Sequence, residues 1–299
     1  MSNGTTLVCV DGSPSSKRAL EWAARRVSER GGSIRLLCVV DLTFGAAVYG
    51  TRFDPVENAS RVLDDATRRA TQNHPGLDVT SDWVDGRPVG QIVRASADAE
   101  LVVLGTDKSP DDDGPRVGTL PLSVAARSHC AVAVIPHLGS ARRRGVVVGI
   151  DRSPQSHAAL AVAVREACWL GTTVTAVHAW RVPPPFASDV TPDLQPDPGY
   201  EAKLQGVLDD AIAELTVPVP AEVTITTELA RENPALALVD RALRAELLVV
   251  GCRGRGRVAS YVLGSVSHDV LLNITSPVIV VPGDYPAVIT TKDFDGEEW

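Results

Sequence analysis

The amino-acid sequence predicts an α/β protein built from two tandem doubly wound parallel sheets, each with five strands flanked by helices. Three features predict this fold: the second half of the chain repeats the first, short apolar segments alternate with helical patterns, and a glycine-containing loop follows the fourth apolar segment of each half. Parallel neighbours need crossover connections, which the helical segments supply. The 299 residues are enough for two cores of ordinary size.

The internal repeat is clearest around the glycines of the fourth connection. Here the two halves are 146 positions apart, so that Gly105, Lys108, Gly118 and Thr119 correspond to Gly251, Gly254, Gly264 and Ser265. Near the start of each half the offset is 140, and Asp-Gly-Ser-Pro at 11–14 corresponds to Asp-Arg-Ser-Pro at 151–154. The second copy therefore gains about six residues between the two blocks. The repeat predicts a first domain over 1–136, a basic linker over 137–144, a second domain over 145–282 and a loosely packed tail over 283–299.

Each half opens with a strand that ends in aspartate. Residues 7–11 and 146–151 are apolar up to that aspartate, which is typical of a strand buried on both faces of a sheet. A Ser-Pro pair follows at 13–14 and at 153–154, where serine suits the N-cap of a helix and proline its first position. Apolar residues then recur at helical spacing, so we expect the first helix of each half here.

The same alternation continues along both halves. Runs rich in β-branched residues predict further strands at 34–40, 79–84, 101–104 and 132–135, and at 174–180, 223–229, 247–250 and 278–281. Helical patterns lie near 55–73, 88–98 and 119–128, and near 200–215, 234–244 and 265–275. The proline-rich segment 183–198 fits neither pattern, and it could be a lid over a ligand or a passive surface loop.

The composition excludes several classes of protein. Hydrophobic residues make up 44% of the chain, as in a globular protein, and no apolar run approaches the ~18 residues that span a bilayer. The net charge of −8 disfavours binding to nucleic acid or to anionic membranes. The start of the chain has no signal-peptide pattern, so we expect a cytoplasmic protein. The five cysteines are expected to be small buried residues, except that Cys252 lies in the glycine loop, where its thiol could be reachable.

The glycine loop of the second half predicts an anion-binding site. Ligands of such sheets bind beyond the carboxyl ends of the strands, where the strand order reverses, and the loops after strands one and four flank that point. Gly251 and Gly254 would let backbone approach a ligand, and Gly264-Ser265 opens a helix whose free N–H groups suit phosphate. Arg253 adds a cation, as do the arginines at 255 and 257.

The loop admits three other interpretations. The glycines could serve the turn alone, but their repetition at identical spacing disfavours that. A dinucleotide fingerprint fits residues 254–259 formally, yet it belongs after the first strand of its unit rather than the fourth. A Walker P-loop fails because no Gly-Lys-Ser/Thr closes the motif.

The pattern G-x2-G-x9-G-S/T after the fourth strand, with aspartate ending the first, resembles the ATP-binding universal stress proteins, and the whole chain resembles a tandem pair of such domains. The resemblance implies an adenine-nucleotide-binding, Rossmann-like fold in which the glycine loop holds ribose and phosphates, the first aspartate lies at the adenosine, and backbone after strand two contacts adenine. The positions that match in the second half are Asp151, Ala179, Gly251, Gly254, Gly264 and Ser265. Those that match in the first half are Asp11, Val39, Gly105, Gly118 and Thr119.

The first half departs from this pattern at Lys108, which places a side chain where backbone should approach a phosphate. Its loop 105–119 sums to −2, whereas loop 251–265 sums to +3. Repulsion between carboxylates and a triphosphate predicts a weakened or lost first site. Magnesium bridging the carboxylates to the phosphates, or Lys108 itself reaching a phosphate, would offset this.

The leading functional interpretation is a non-enzymatic regulator of stress response or growth arrest that binds ATP, with Mg²⁺, and an unknown protein partner. Further homodimerisation stays open. One alternative is an enzyme that hydrolyses ATP or transfers an adenylyl group; against it, His178 is expected to be a hydrogen-bonded core residue, and His268 has no counterpart in the first copy. The other alternative is a scaffold that binds no nucleotide.

Overall fold

The computed structural model describes residues 4–43, 54–107, 118–139, 142–181, 198–215, 219–252, 263–283 and 285. The first half contains β1 (Thr5–Cys9), α1 (Pro14–Arg30), β2 (Ser33–Val40), α2 (Pro55–Asn73), β3 (Asp78–Asp85), α3 (Pro88–Ala95), β4 (Leu101–Gly105), α4 (Thr119–Ala125) and β5 (Ala131–Ile135). The second half contains β6 (Val146–Gly149), α5 (Pro154–Leu170), β7 (Val174–Ala179), α6 (Pro198–Ala213), β8 (Ile225–Ala230), α7 (Pro234–Ala242), β9 (Leu247–Gly251), α8 (Ser265–Leu272) and β10 (Val278–Val281).

The strands of both halves form a single ten-stranded sheet with the order β3-β2-β1-β4-β5-β10-β9-β6-β7-β8. Within each half all pairings are parallel, which confirms the predicted doubly wound α/β fold. The halves join through antiparallel pairing of β5 and β10, where Ala133 pairs with Ile279. These two residues are 146 positions apart and therefore equivalent in the repeat. A pseudo-twofold axis thus relates the two halves. The sequence predicts two separate sheets, but in the structure they form one continuous sheet.

The apolar runs become strands because both faces of the sheet are covered. Val102 and Val103 in the middle of β4 are fully buried on opposite faces, and Leu248 and Val249 in β9 are buried in the same way. Helices on the two sides complete two layers of apolar packing. No helix among the described residues combines the length and the apolarity that crossing a bilayer requires.

The predicted bounds differ from the structure at a few ends. Strand β8 begins at Ile225 rather than at 223, because Val223 donates its N–H to the Pro220 carbonyl in a turn, at 2.9 Å, and not to a neighbouring strand. The helix predicted near 88–98 ends at Ala95 and continues as one 3₁₀ turn over Ser96–Asp98. The proline-rich segment between Arg181 and α6 lies outside the described residues.

A buried ionic cluster fastens the two halves together beside the β5–β10 pairing. Glu166 on α5 is 1% exposed, accepts a hydrogen bond from Arg26 at 2.9 Å and forms an ion pair with Arg30 at 2.7 Å, both on α1. The Arg30 guanidinium lies 4.2 Å from the ring centroid of Trp169. Arg26 and Glu166 are 140 positions apart, so equivalent positions of the two copies carry opposite charges and meet near the pseudo-twofold axis.

The segments flanking the second half are anchored by specific contacts. In the linker, Arg143 donates to the Thr275 carbonyl at 2.8 Å. In the tail, the Tyr285 hydroxyl accepts from Arg165 at 3.0 Å, and the ring packs against the core. The expectation that the tail packs loosely is wrong for Tyr285, because its ring packs against apolar residues and its hydroxyl accepts a hydrogen bond from Arg165. Residues 286–299 lie outside the described part of the chain.

Candidate functional site

A cleft of about 900 Å³ opens at the carboxyl ends of β6, β7 and β9. In the second half the strand order reverses between β6 and β9, so the loops that follow these strands diverge and leave space between them. The cleft is lined by residues from the β6–α5 loop, from the end of β7, from α6 and from the start of α8. It therefore lies at the place where the sequence predicts the site.

The β6–α5 loop is held by hydrogen bonds around Asp151. Its Oδ1 accepts from the Ser153 amide at 3.0 Å, and the Ser153 hydroxyl in turn accepts from the Ser156 amide at 3.2 Å and caps α5. The first half has the same arrangement, with Ser13 donating to Asp11 at 2.9 Å. Burial opposes ionisation of Asp11, but hydrogen bonds from the side chain and backbone of Ser13 outweigh it and lower the pKa of that carboxyl.

One residue of this loop has an unusual backbone conformation. Arg152 has φ = 66°, in the left-handed region, and is the only residue other than glycine with positive φ among those described. The equivalent residue of the first half is Gly12, with φ = 81°. The left-handed conformation costs a residue that carries a Cβ about 1–2 kcal/mol, a cost that glycine avoids. The loop shape is thus common to both halves, but only the second half fills it with a charged side chain.

The start of α8 presents backbone N–H groups to the cleft. Gly264 is the N-cap and has no capping side chain, and the first amide bonded within the helix is that of His268, which donates to the Gly264 carbonyl at 2.9 Å. The amides of Ser265, Val266 and Ser267 precede it and line the cleft with their residues. The helix start is fixed in place because the Ser267 hydroxyl donates to the Cys252 carbonyl at 2.9 Å. Such an arrangement attracts an anion.

The first glycine of the pattern has a packing role that the sequence did not predict. A Cβ on Gly251 would lie 2.9 Å from the Cβ of Gln155 at the start of α5. A Cβ on Gly105 would lie 2.2 Å from the Ser15 carbonyl oxygen at the start of α1. The absent side chains therefore let each fourth strand approach the helix that follows the first strand, while the Gly251 backbone also borders the cleft.

The opposite end of the cleft combines apolar and aromatic side chains with the basic residues Arg152, Arg181 and Lys203. Ala179 ends β7 and borders the cleft, and Trp180 follows it. The Tyr200 ring, 47% exposed, meets Trp180 edge to face with 5.5 Å between centroids. His178 is hydrogen-bonded, as predicted. Its Nδ1 lies 2.7 Å from the Ile150 carbonyl oxygen and donates a hydrogen bond to it. This end offers flat apolar contact, whereas the α8 end offers N–H donors.

The structure brings together most of the site residues predicted for the second half. The predicted residues that line the cleft are Asp151, Ala179, Gly251, Gly264 and Ser265. Arg253 and Gly254 lie outside the described residues. His268 is absent from the described lining and lies 3.4 Å from the Asp269 carboxylate. The Cys252 thiol, which by its place in the glycine loop could have been reachable, packs in the core instead and is 3% exposed.

The first-half residues occupy equivalent places in the fold. Asp11 follows β1, Val39 is the last residue but one of β2, and Gly105 ends β4; Gly118 is the N-cap of α4 and Thr119 its first residue. Lys108 and the acidic residues that follow it lie outside the described residues, so the predicted weakening of this site stays a prediction. Asp107, next to them, lies 3.7 Å from Arg18.

Several residues that border the cleft were not predicted from the sequence, among them Arg152, Trp180, Tyr200 and Lys203. Arg152 carried a signal, because it replaces the glycine of the matching Asp-Gly-Ser-Pro segment. Tyr200 and Lys203 on α6 carried no sequence signal, because the inserted segment before α6 changes their distance from the motif in the sequence.

Comparison with known proteins agrees with this architecture. The sequence profile of the universal stress protein family matches residues 3–136 and 142–282. Universal stress protein Rv2623 of Mycobacterium tuberculosis H37Rv is 30% identical over 303 residues, covering 94% of this chain and 98% of the relative. Universal stress protein Mb2028c of Mycobacterium bovis is 32% identical over 294 residues, covering 92% and 95%.

A solved structure supports the fold. The crystal structure of a universal stress protein from Archaeoglobus fulgidus DSM 4304 is similar with a TM-score of 0.65 at 19% identity, over 93% of this chain and 98% of that chain. The family profile matches once in each half, and the mycobacterial relatives align along nearly the whole length. The chain therefore belongs to the universal stress protein family.

Proposed function

We propose that this protein binds ATP in the cleft of its second half and acts as a nucleotide-dependent regulator of stress response or growth arrest. One observation carries the proposal: the cleft of about 900 Å³ has helix N–H donors at one end and apolar contact surface at the other. Its size is within the range of pockets that enclose small molecules. An adenine nucleotide has the matching division into an anionic end and a planar end.

The phosphates would lie at the start of α8. The amides of Ser265 and Val266 and the Ser265 hydroxyl are donors there, and the helix dipole favours negative charge. Arg253 and Gly254 are proposed to complete this end, by the family resemblance. Asp151 would contact the ribose, and the backbone beside Ala179 the adenine edge.

Magnesium would enter with the nucleotide. Among the described residues no three His, Cys, Asp or Glu side chains are grouped so as to hold a metal ion. Mg²⁺ is commonly bound by substrate phosphates, one or two carboxylates and several waters. We therefore propose that Mg²⁺ enters with the phosphates of the nucleotide.

Binding alone could operate as a switch. A ligand at 1,000 times its dissociation constant stabilises the conformation that it binds by about 4.1 kcal/mol. That energy would be available to fix the loops around the cleft, and so the surface offered to a partner protein. The proposal needs no turnover, and we expect the protein to hydrolyse ATP slowly at most.

Isothermal titration calorimetry tests the proposal. We expect ATP with Mg²⁺ to bind with a micromolar dissociation constant, or about −7 to −9 kcal/mol. Phosphate release, measured in the same samples, distinguishes a regulator from the alternative enzyme. The proposal is wrong if millimolar ATP gives neither binding heat nor a rise in melting temperature.

A further inference from the structure

The side chain of Arg152 borders the cleft and contacts α6. Strand β6 lies between β9 and β7 in the sheet, so the loop that follows β6 separates the α8 side of the cleft from the α6 side. Arg152 reaches to the α6 side, because its Nη2 donates to the Lys203 carbonyl at 3.3 Å. The guanidinium is therefore held at the α6 side of the cleft.

The helix that Arg152 reaches also carries an aromatic side chain into the cleft. Tyr200 lies three residues before Lys203 on α6, and residues with that spacing share a helix face. The Tyr200 ring contacts Trp180, which directly follows Ala179 at the proposed adenine position. Arg152, Tyr200 and Ala179 thus border the same end of the same cleft.

We propose that Arg152 is a specificity-determining residue of the nucleotide site, and that its planar guanidinium stacks on the purine ring; this inference rests on the proposed function. A guanidinium is flat, permanently charged and weakly hydrated, so it stacks on aromatic faces as a lysine ammonium does not. The chemical class of ligand that it selects is a purine nucleotide rather than a free polyphosphate.

The equivalent position in the first half is Gly12, which has no side chain that could stack on a base. Gly12 packs against α2, and a Cβ on Gly12 would lie 3.1 Å from the Val62 side chain. Among the described residues, the space beside Gly12 is about 190 Å³ and lies between α1 and α2. Glycine satisfies the left-handed loop there at no steric cost. The second half keeps an arginine in the same strained conformation, which is the pattern expected where a side chain serves a ligand.

The test compares Arg152→Gly and Arg152→Lys with the unaltered full-length protein. Arg152→Gly reproduces the residue of the first half and relieves the left-handed strain, so we expect an unchanged or higher melting temperature. We also expect the ATP dissociation constant, measured by calorimetry, to rise about tenfold, since stacking of one base contributes on that order. Arg152→Lys retains both the charge and the strain, and should lose affinity to a similar degree.

Inorganic tripolyphosphate, which has no base, is the probe that separates stacking from attraction of phosphate. Its affinity should be the same for the three proteins within about twofold. The inference is overturned if Arg152→Gly binds ATP as tightly as the unaltered protein, if Arg152→Lys restores full affinity, or if tripolyphosphate weakens in parallel with ATP. Failure of the unaltered protein to bind ATP would instead overturn the proposed function, and this inference with it.

Discussion

Glu166→Gln is expected to lower the free energy of unfolding by about 3–5 kcal/mol, the usual cost of removing one partner from a buried ion pair. Glu166 is 1% exposed and lies within 3 Å of both Arg26 and Arg30. Glutamine keeps the size of the side chain but removes its charge, which leaves two guanidinium groups close together in the interface between the halves. Urea unfolding at neutral pH measures the loss.

Glu100→Gln is a matched control for this prediction. Glu100 pairs with the same Arg26, at 3.4 Å, but is 42% exposed. An exposed pair is screened by water and contributes roughly 0–1 kcal/mol. If Glu100→Gln and Glu166→Gln cost the same, the buried cluster does not hold the halves together in the way described.

The same carboxylate gives a dependence on pH with a definite sign. Burial opposes ionisation of Glu166, but the charges of Arg26 and Arg30 outweigh it and lower its pKa from 4.5 to about 2. A depressed pKa means that the stabilisation is complete above pH 4.5 and is lost as the pH falls towards 2. The difference in stability between the unaltered protein and Glu166→Gln should therefore be smaller at pH 3 than at pH 7. An equal difference at both values would contradict the assignment.

Gly264→Val is expected to weaken ATP binding by about 100-fold, or about 2.7 kcal/mol. The added side chain would stand at the N-cap of α8, beside the amides proposed to hold phosphate. The backbone at Gly264, with φ = −63° and ψ = 155°, is in a region that valine adopts readily. The protein should stay folded and lose about 0.5–1 kcal/mol of stability, since valine is a poor N-cap. Calorimetry and thermal melting give the two readouts.

Gly118→Val is the corresponding change in the first half. Gly118 is the N-cap of α4, and a Cβ there would have no neighbour within 4 Å. Because Lys108 and the acidic loop are expected to weaken the first site, Gly118→Val should remove less of the total ATP affinity than Gly264→Val. The opposite ranking would show that the loop charges do not decide which half binds more tightly.

Much of the fold follows from the sequence because its signals are local. Apolar runs such as 101–104 are buried on both faces, and the Ser-Pro pairs at 13–14 and 153–154 begin helices, as predicted. The joining of the two sheets could not be predicted, because pairing of β5 with β10 depends on how two completed halves meet. The contact between Arg26 and Glu166 has the same origin, since no local pattern relates residues 140 positions apart.

The candidate site also has some features that the sequence predicts and others that it does not. The places of Gly264 and Asp151 beside the cleft could be predicted, because each belongs to a short motif that lies close to the end of a strand in the sequence. The packing role of Gly251 could not be predicted, because its close neighbour Gln155 belongs to α5, which is far from β9 in the sequence. Tyr200 could not be placed either, since α6 follows a segment whose length differs between the halves.

A crystal structure of the protein grown with ATP and Mg²⁺ tests the central claim most directly. We predict electron density for ATP in the cleft of the second half, with phosphates at the amides of Ser265 and Val266 and adenine between Ala179 and Arg152. The first half should be empty or only partly occupied. Full occupancy in both halves would contradict the predicted asymmetry, and nucleotide bound away from the start of α8 would contradict the site itself.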